Sequence, residues 1–305
     1  MPNVDVIIPT HNCIFIAKAI ESVIHQTHQN LHIIIIDDGS TDDTKDTVYR
    51  FSNLYPSKIN YYYQNKQGPA AARNTGIKKS SNKYIAFLDA DDIWLPEKLE
   101  KQLLKFKNSP DIGFVYCDNY FIDQSGNIIK DYVRKVKLIE GDILLDFFMD
   151  FFLITSGIML KRTCIQKIGM FDKNLAVGED FDFFLRLAQH FTAGVVKEKL
   201  FKRRVWKGSL SKQDYELNTK VDIETLKNFT ANHPAFNNKH RKLIKKRMSD
   251  MYFKFGYALR KHGNNFKALI KIVSSLKYHF HANVAKELVL CLLPNWIIKT
   301  LKKKV

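Results

Sequence analysis

Glycine and proline are scarce in this 305-residue chain, at 13 and 8 copies, and cysteine is scarcer still at four. With 45% apolar residues, that composition excludes a low-complexity or disordered polymer. It leaves one large folded domain, or a domain with an appendage. Cys13, Cys117, Cys164 and Cys291 lie far apart with no CxxC pair. Their scatter excludes a zinc ribbon or disulfide scaffold and fits a reducing compartment. Long apolar runs are missing too: "LVLCLL" stops at Pro294, far short of the roughly 20 residues a spanning helix needs. The opening "MPNVDVIIPTHN" has no basic leader and meets Pro9 early, so no signal peptide and a cytoplasmic location are expected.

Acidic residues are what the last third lacks. Residues 1–195 hold 22 Lys/Arg against 24 Asp/Glu, a net of −2, whereas residues 196–305 hold 26 against 7, a net of +19. Such asymmetry points to an anionic partner surface, nucleic acid or acidic lipid, or more plainly to a solubilising face.

Against these absences, the first 90 residues carry a regular rhythm. "VDVIIPT" and "LHIIIID" are continuous β-branched runs and predict buried parallel strands. Between them Ile16, Ala19, Ile20, Val23 and Ile24 fall at helical spacing. "STDDTKDTVYRFSNLY" begins with a cap cluster and predicts a helix, "KINYYYQN" a strand, "GPAAARNTGIKKS" a helix opened by Gly68-Pro69, and "KYIAFLD" a fourth strand. The alternation predicts an α/β fold with a parallel core. Further on, two extended runs around "QSGN" predict a hairpin, "ITSGIMLKR" a strand and "GEDFDFFLRLAQHF" a helix with an acidic start, so the sheet is expected to be mixed. From about residue 212 the pattern is helical and basic.

Phosphate cradles of the usual kind are absent: no GxGxxG follows the first strand and no GxxxxGK[ST] occurs anywhere. No HExxH pair occurs among the ten histidines, which read as surface residues. Polar signals instead cluster where the strands end: "PTHN", "DDGS" and "DADD" follow the first, second and fourth strands. In open α/β sheets ligands bind beyond those carboxyl ends. One acidic loop is ordinarily a solvated turn, but three at one edge of a sheet are harder to dismiss. Carboxylates crowded without His or Cys favour a hard cation, Mg²⁺ or Mn²⁺, which could hold an anionic diphosphate there.

Taken in order, "VIIPTHN", "IIIDDGSTDDT", "GPAAARNTGI", "FLDADDIWLPEKL" and "GEDFDFFLRL" resemble the family 2 glycosyltransferases of the GT-A fold, over about residues 3–211. The resemblance implies a Rossmann-like, mostly parallel or mixed central sheet flanked by helices, with a basic C-terminal helical extension. It implies a catalytic domain at 1–211, with a nucleotide-sugar-binding half (1–110) and an acceptor-binding half (111–211), then a basic helical region at 212–305. Carried over residue by residue, Pro9 and Thr10 would line the nucleotide pocket and Asp38 would accept a hydrogen bond from the base, which suits uracil. Asp38 could equally cap the next helix through Ser40 and Thr41. Arg73 would lie near the donor or brace the acidic loops. Asp89 would reach the ribose or sugar, Asp91 would bind the Mn²⁺ or Mg²⁺ that bridges the diphosphate, and Asp180 would be the catalytic base. Asp92 reads as a cap or hydrated turn residue and Trp94 as packing. The departure is Trp206, where similar enzymes often carry a metal-contacting His; Arg203, Arg204 and Lys207 are candidates to neutralise the diphosphate instead.

The implied reaction is inverting transfer from a UDP-sugar to a saccharide acceptor, lipid-linked, in bacterial surface polysaccharide assembly (O-antigen, lipooligosaccharide or capsule). Basic residues mixed with aromatics over 240–280, and a tail carrying Trp296 and a lysine cluster, predict a peripheral contact with anionic lipid at the cytoplasmic face of the inner membrane. A helical bundle that packs or dimerises is the plainer alternative. A nucleotide- or nucleic-acid-binding α/β protein without transferase activity is the other class. Against nucleic acid, no RRM or KH signature is present and the ligand loops are acidic.

Overall fold

Residues that are apolar on both sides of a strand must be covered on both faces, and the first two strands meet that condition. In a computed structural model the described residues are 3–130, 137–206, 208, 215–280 and 282–292. β1 (Val4–Thr10) and β2 (Leu31–Asp38) are buried almost throughout. Between them α1 (Ile16–Ile24) buries the same five residues that the spacing selected. α2 (Thr44–Leu54), β3 (Ile59–Gln64), α3 (Pro69–Lys79) and β4 (Tyr84–Phe87) follow. β1 pairs in parallel with both β2 and β4, and β2 with β3. α3 lies close on this sheet because its buried face is mostly Ala70, Ala71, Ala72 and Gly76; a Cβ at Gly76 would stand 2.4 Å from Ile7 Cγ2.

β5 (Ile93–Trp94), α4 (Lys98–Asn108), β6 (Phe114–Ile122), α5 (Leu144–Met149), a 3-10 turn (Thr155–Gly157), β7 (Met159–Lys161), α6 (Arg162–Ile168), α7 (Glu179–His190) and β8 (Ala193–Arg204) complete the layer. The eight strands form one sheet in the order β3-β2-β1-β4-β7-β6-β8-β5. β7 runs antiparallel to β4 and β6, and β5 antiparallel to β8, while β6 and β8 are parallel. The sheet is therefore mixed.

Three local features differ from the sequence expectation. The hairpin around "QSGN" keeps its turn, closed by Asp123 and Asn127, but beyond it only an Ile122–Ile128 bridge forms. Residues 131–136 of that arm lie outside the described residues, as do Lys207 and Trp296 with the terminal lysines. "ITSGIMLKR" is divided between the 3-10 turn, β7 and the start of α6. β8 was not anticipated at all. Its ladder with β6 jumps from Cys117–Val196 to Asp118–Lys199, leaving Lys197 and Glu198 in a bulge that breaks the alternation a strand normally shows.

The chain divides into two compact units, Met1–Ser209 and Leu210–Val305. The second is built from α8 (Tyr215–Asn232), α9 (Pro234–Lys239), α10 (Arg241–Lys261), α11 (Asn265–Leu276) and α12 (Ala282–Leu292). Among the described residues it has no strand. α10 packs tightly on α11: a Cβ at Gly256 would lie 2.5 Å from Ile272 Cγ1. The Ser249 hydroxyl binds the carbonyls of Ser275 and His279, and the buried Arg260–Glu287 pair at 2.6 Å ties α10 to α12. Among the described residues no helix is long and apolar enough to cross a membrane.

Candidate active site

The carboxyl ends of β1, β2 and β4 lie side by side in the sheet, so their loops share one edge. Asn12, after β1, adopts a left-handed φ of 47°, which Asn tolerates better than most residues. Its backbone N–H donates to Ser40 Oγ and its Oδ1 accepts from Thr41 N, stitching the first loop to the second. Gly39 supplies a φ of 79° at the "DDGS" turn. Asp37 is fully buried, accepting from Ser40 N and the Tyr61 hydroxyl. The Ser40 cap therefore belongs to Asp37, and the Thr41 cap to Asn12, so Asp38 is not a helix cap. Asp38 turns the other way and accepts from Gln64 Nε2, Gln67 N and Gly68 N, which fixes the loop that opens α3. Pro9 and Thr10 end β1; Thr10 is buried, and its hydroxyl has no partner among the described residues. In the next residue the Nδ1 of His11 is also buried without a partner among the described residues. The reading of every histidine as surface is wrong for His28, which is 3% exposed, while His11 is half-buried.

The "DADD" turn is held from four directions. Asp89 Oδ1 pairs with Arg73 Nη2 at 2.8 Å, and its backbone N–H donates to Ser156 Oγ. Asp91 Oδ2 accepts from Trp206 Nε1 at 2.9 Å. Asp92, expected as a hydrated turn residue, is instead 3% exposed; it accepts from the Ser156 hydroxyl at 2.6 Å and from Arg204 N. Burial, and then Asp91 and Asp89, push the Asp92 pKa well up, while its two hydrogen bonds oppose that rise. Burial and Asp89 raise Asp91 as well, with the Trp206 bond working against them. Arg204 does not present a free cation. Its Nε bonds Asp91 O, its Nη1 bonds the carbonyls of Asp123 and Gln124, and its guanidinium lies 4.1 Å from the Phe15 ring centroid. Trp94 packs, as expected, and its indole also donates to Ser156 O.

α7 begins at Gly178, in the left-handed region at φ 73°, and carries Glu179, Asp180 and Asp182 in its first turn, where the helix dipole favours carboxylates. Phe181, Phe183 and Phe184 are buried and anchor the helix. Glu179 Oε1 meets Arg73 Nη1 at 2.6 Å, so one buried guanidinium joins the loop after β4 to the start of α7. Burial opposes the charge on Arg73, yet Asp89 and Glu179 outweigh it and raise its pKa. Asp180 stays partly open to solvent, and its Oδ1 accepts from Phe181 N. Burial and Glu179 push Asp180 up to about 7, with Arg73 pulling the other way. Asn74 is structural: its amide exchanges two hydrogen bonds with the Phe171 backbone.

The donor set suits a hard cation shared with a phosphate ligand. Asp89 and Asp91 each have one oxygen engaged by a protein side chain, which leaves the second without such a partner among the described residues. Among those residues no group of three or more His, Cys, Asp or Glu converges on one point, so no complete protein cage exists. Mg²⁺ and similar ions are commonly held by one or two carboxylates, with substrate oxygens and water filling the sphere. The residues present fit that pattern.

A mixed α/β sheet with an acidic turn after its fourth strand is the GT-A architecture. The architecture matches S. aureus TarS residues 1–349, solved with UDP-GlcNAc, at a TM-score of 0.61 and 14% identity over 92% of this chain and 93% of that one. It also matches the mannosyltransferase PcManGT of Pyrobaculum calidifontis, solved with GDP-Man and Mn²⁺, at a TM-score of 0.58 and 16% identity over 98% of this chain and 83% of that one. Residues 5–169 match the model of Glycosyl transferase family 2, and the chain belongs to that family. An uncharacterised glycosyltransferase of Rickettsia conorii is 34% identical over 209 residues, 68% of this chain, but those residues span only 33% of the relative. The Escherichia coli UDP-Glc:alpha-D-GlcNAc-diphosphoundecaprenol beta-1,3-glucosyltransferase WfgD is 37% identical over 143 residues, 46% of this chain and 54% of that protein.

Proposed function

We propose that this glycosyltransferase moves a sugar, with inversion, from a UDP-sugar to a lipid-linked saccharide during assembly of a bacterial surface polysaccharide. The observation that carries the reading is the Arg73 bridge, which binds Asp89 and Glu179 at once and so couples the acidic turn to the helix bearing Asp180. The choice of donor and acceptor is supported by the name of the E. coli relative, which states both a UDP-sugar and a diphosphoundecaprenol-linked acceptor, and by the UDP-GlcNAc complex of TarS.

In this reading residues 1–110 hold the donor and 111–211 the acceptor. Pro9, Thr10 and Asp38 receive the nucleoside, and Asp89 reaches the ribose or sugar. Asp91 holds Mn²⁺ or Mg²⁺; when bound, that ion offsets the charge developing on the departing diphosphate. An Asp180 oxygen takes the proton of the acceptor hydroxyl as that oxygen bonds to the anomeric carbon. The bond from that carbon to the phosphate oxygen breaks, and UDP leaves with the electron pair. A single displacement turns an α-linked donor into a β-linked product. Asp180 can serve because burial and Glu179 push its pKa up to about 7, where the carboxylate is about half ionised at neutral pH and basic enough to take a proton.

Calorimetry with UDP- and GDP-sugars, with and without Mn²⁺, tests the donor and metal assignments together. An Asp180→Asn variant should bind the UDP-sugar as the parent does while transfer to a polyprenyl-diphosphate-linked GlcNAc acceptor falls about 10²–10⁴-fold. Undiminished turnover in that variant removes Asp180 from the role.

A further inference from the structure

α11 carries an apolar face that its own unit leaves uncovered. Phe266, Ile270 and Val273 stand at i, i+4 and i+7 and are 75%, 46% and 45% exposed, and Phe280, just beyond the helix, is 68% exposed. The opposite side of the same helix, Ala268, Ile272 and Ser275, is buried. A buried side suffices to hold α11 in its bundle, so packing within the unit does not explain the second stripe. A continuous exposed apolar patch of this kind marks an interaction surface.

Its surroundings say what kind. From residue 251 to residue 286 the chain has seven Lys/Arg and no Asp or Glu. Lys277 continues the line of the stripe and Lys267 borders it, while the Lys271 ammonium lies over the Phe255 ring at 5.2 Å from its centroid. Lys267 meets Glu216 at 3.2 Å, but both side chains are about half exposed, so the pair is weak and leaves the local field positive. A second copy docked on this face would set like charge against like. A single-stranded nucleic acid could stack on Phe266 and Phe280 but would gain nothing from the aliphatic Ile270 and Val273 between them. An apolar stripe bordered by lysines matches the boundary between acyl chains and anionic headgroups.

We propose that the exposed face of α11 seats the protein on an anionic lipid bilayer; this deepens the lipid-linked acceptor reading and rests on it for its setting. The contact is thereby assigned to a defined helix face rather than to the C-terminal lysines.

The test is flotation of the full chain with vesicles of phosphatidylglycerol and phosphatidylethanolamine, and with phosphatidylcholine vesicles for comparison. The parent should float with the first and stay behind with the second. A Phe266→Ser, Ile270→Ser, Val273→Ser variant should lose about tenfold or more in partitioning, since three side chains no longer leave water. A Lys267→Glu, Lys277→Glu variant, whose apolar stripe is intact, should bind the anionic vesicles more weakly than the parent at low salt and lose less of its binding than the parent does as salt is added. Thermal unfolding by circular dichroism checks that both variants are folded. Parent protein that stays behind with the anionic vesicles overturns the proposal, as does a serine variant that floats equally well. A lipid-free dimer that the serine variant dissociates also overturns it, by assigning the stripe to a second copy. Transfer to a water-soluble acceptor should be the same in parent and variants, so the transferase reading stands or falls separately.

Discussion

The indole nitrogen of Trp206 donates to Oδ2 of Asp91 across 2.9 Å, joining residues 115 positions apart. The ring also packs edge-on against Phe15, with centroids 5.2 Å apart, so it cannot swing away without leaving an apolar contact. The residue that departs from the family pattern therefore positions the aspartate assigned to the metal. Removing the donor in Trp206→Phe should cost about 1.5–3 kcal/mol of stability, the range for a hydrogen bond to a charged group. Urea unfolding monitored by circular dichroism measures it.

Asp180 gives the transferase reading its pH dependence. With its pKa near 7, kcat should rise as pH increases through about 7 and level off above it. The same shift opposes folding. The folded state keeps a proton that the unfolded chain releases between the ordinary carboxylate value and about 7, so stability falls as pH rises through that window. Asp180→Asn should therefore raise Tm at pH 8 by several degrees and leave it nearly unchanged near pH 4. Paired melts at the two pH values decide it.

Arg73 neutralises two carboxylates at once, and removing it strands both. Arg73→Met should destabilise the first unit by about 3–5 kcal/mol, the usual result of breaking a buried pair from one side. It also removes the positive charge that holds Asp180 down, so any remaining activity should show its rising limb above pH 7. Arg73→Lys keeps the charge but cannot fork to both partners, and should fall between the two in melting temperature.

Ser156 is one hydroxyl serving two aspartates. It donates to Asp92 and accepts from the backbone of Asp89, and it lies in the 3-10 turn before β7. Ser156→Ala should cost about 1–3 kcal/mol by leaving a buried carboxylate short of a donor. The loss should shrink below about pH 4, where Asp92 is protonated in both states; denaturant curves at pH 3 and pH 8 show whether it does.

All four cysteines are buried and free, and burial pushes the thiols of Cys13, Cys117 and Cys164 up to about 12. A disulfide reagent at pH 8 should leave these three unmodified in the native protein and react with them once it is unfolded.

Much of the molecule follows from the sequence alone, because neighbours along the chain decide it. The buried strands β1 and β2 were legible as unbroken β-branched runs, and α1 as five apolar residues at helical spacing, since each pattern is set by local periodicity. The ordered motifs identified the family for the same reason. What the sequence could not settle is how carboxylates of one kind divide their tasks. Asp37, Asp38, Asp89, Asp91 and Asp92 look alike in a string, and each is distinguished by a donor far along the chain: Tyr61, Gly68, Arg73, Trp206 and Ser156. β8 stayed hidden because its bulge disturbs the alternation, and its identity rests on pairing with β6. Periodicity needs only a few adjacent residues, whereas the charge state and direction of a buried carboxylate are set by whatever the folded chain brings within hydrogen-bonding distance, and that is a property of the tertiary structure.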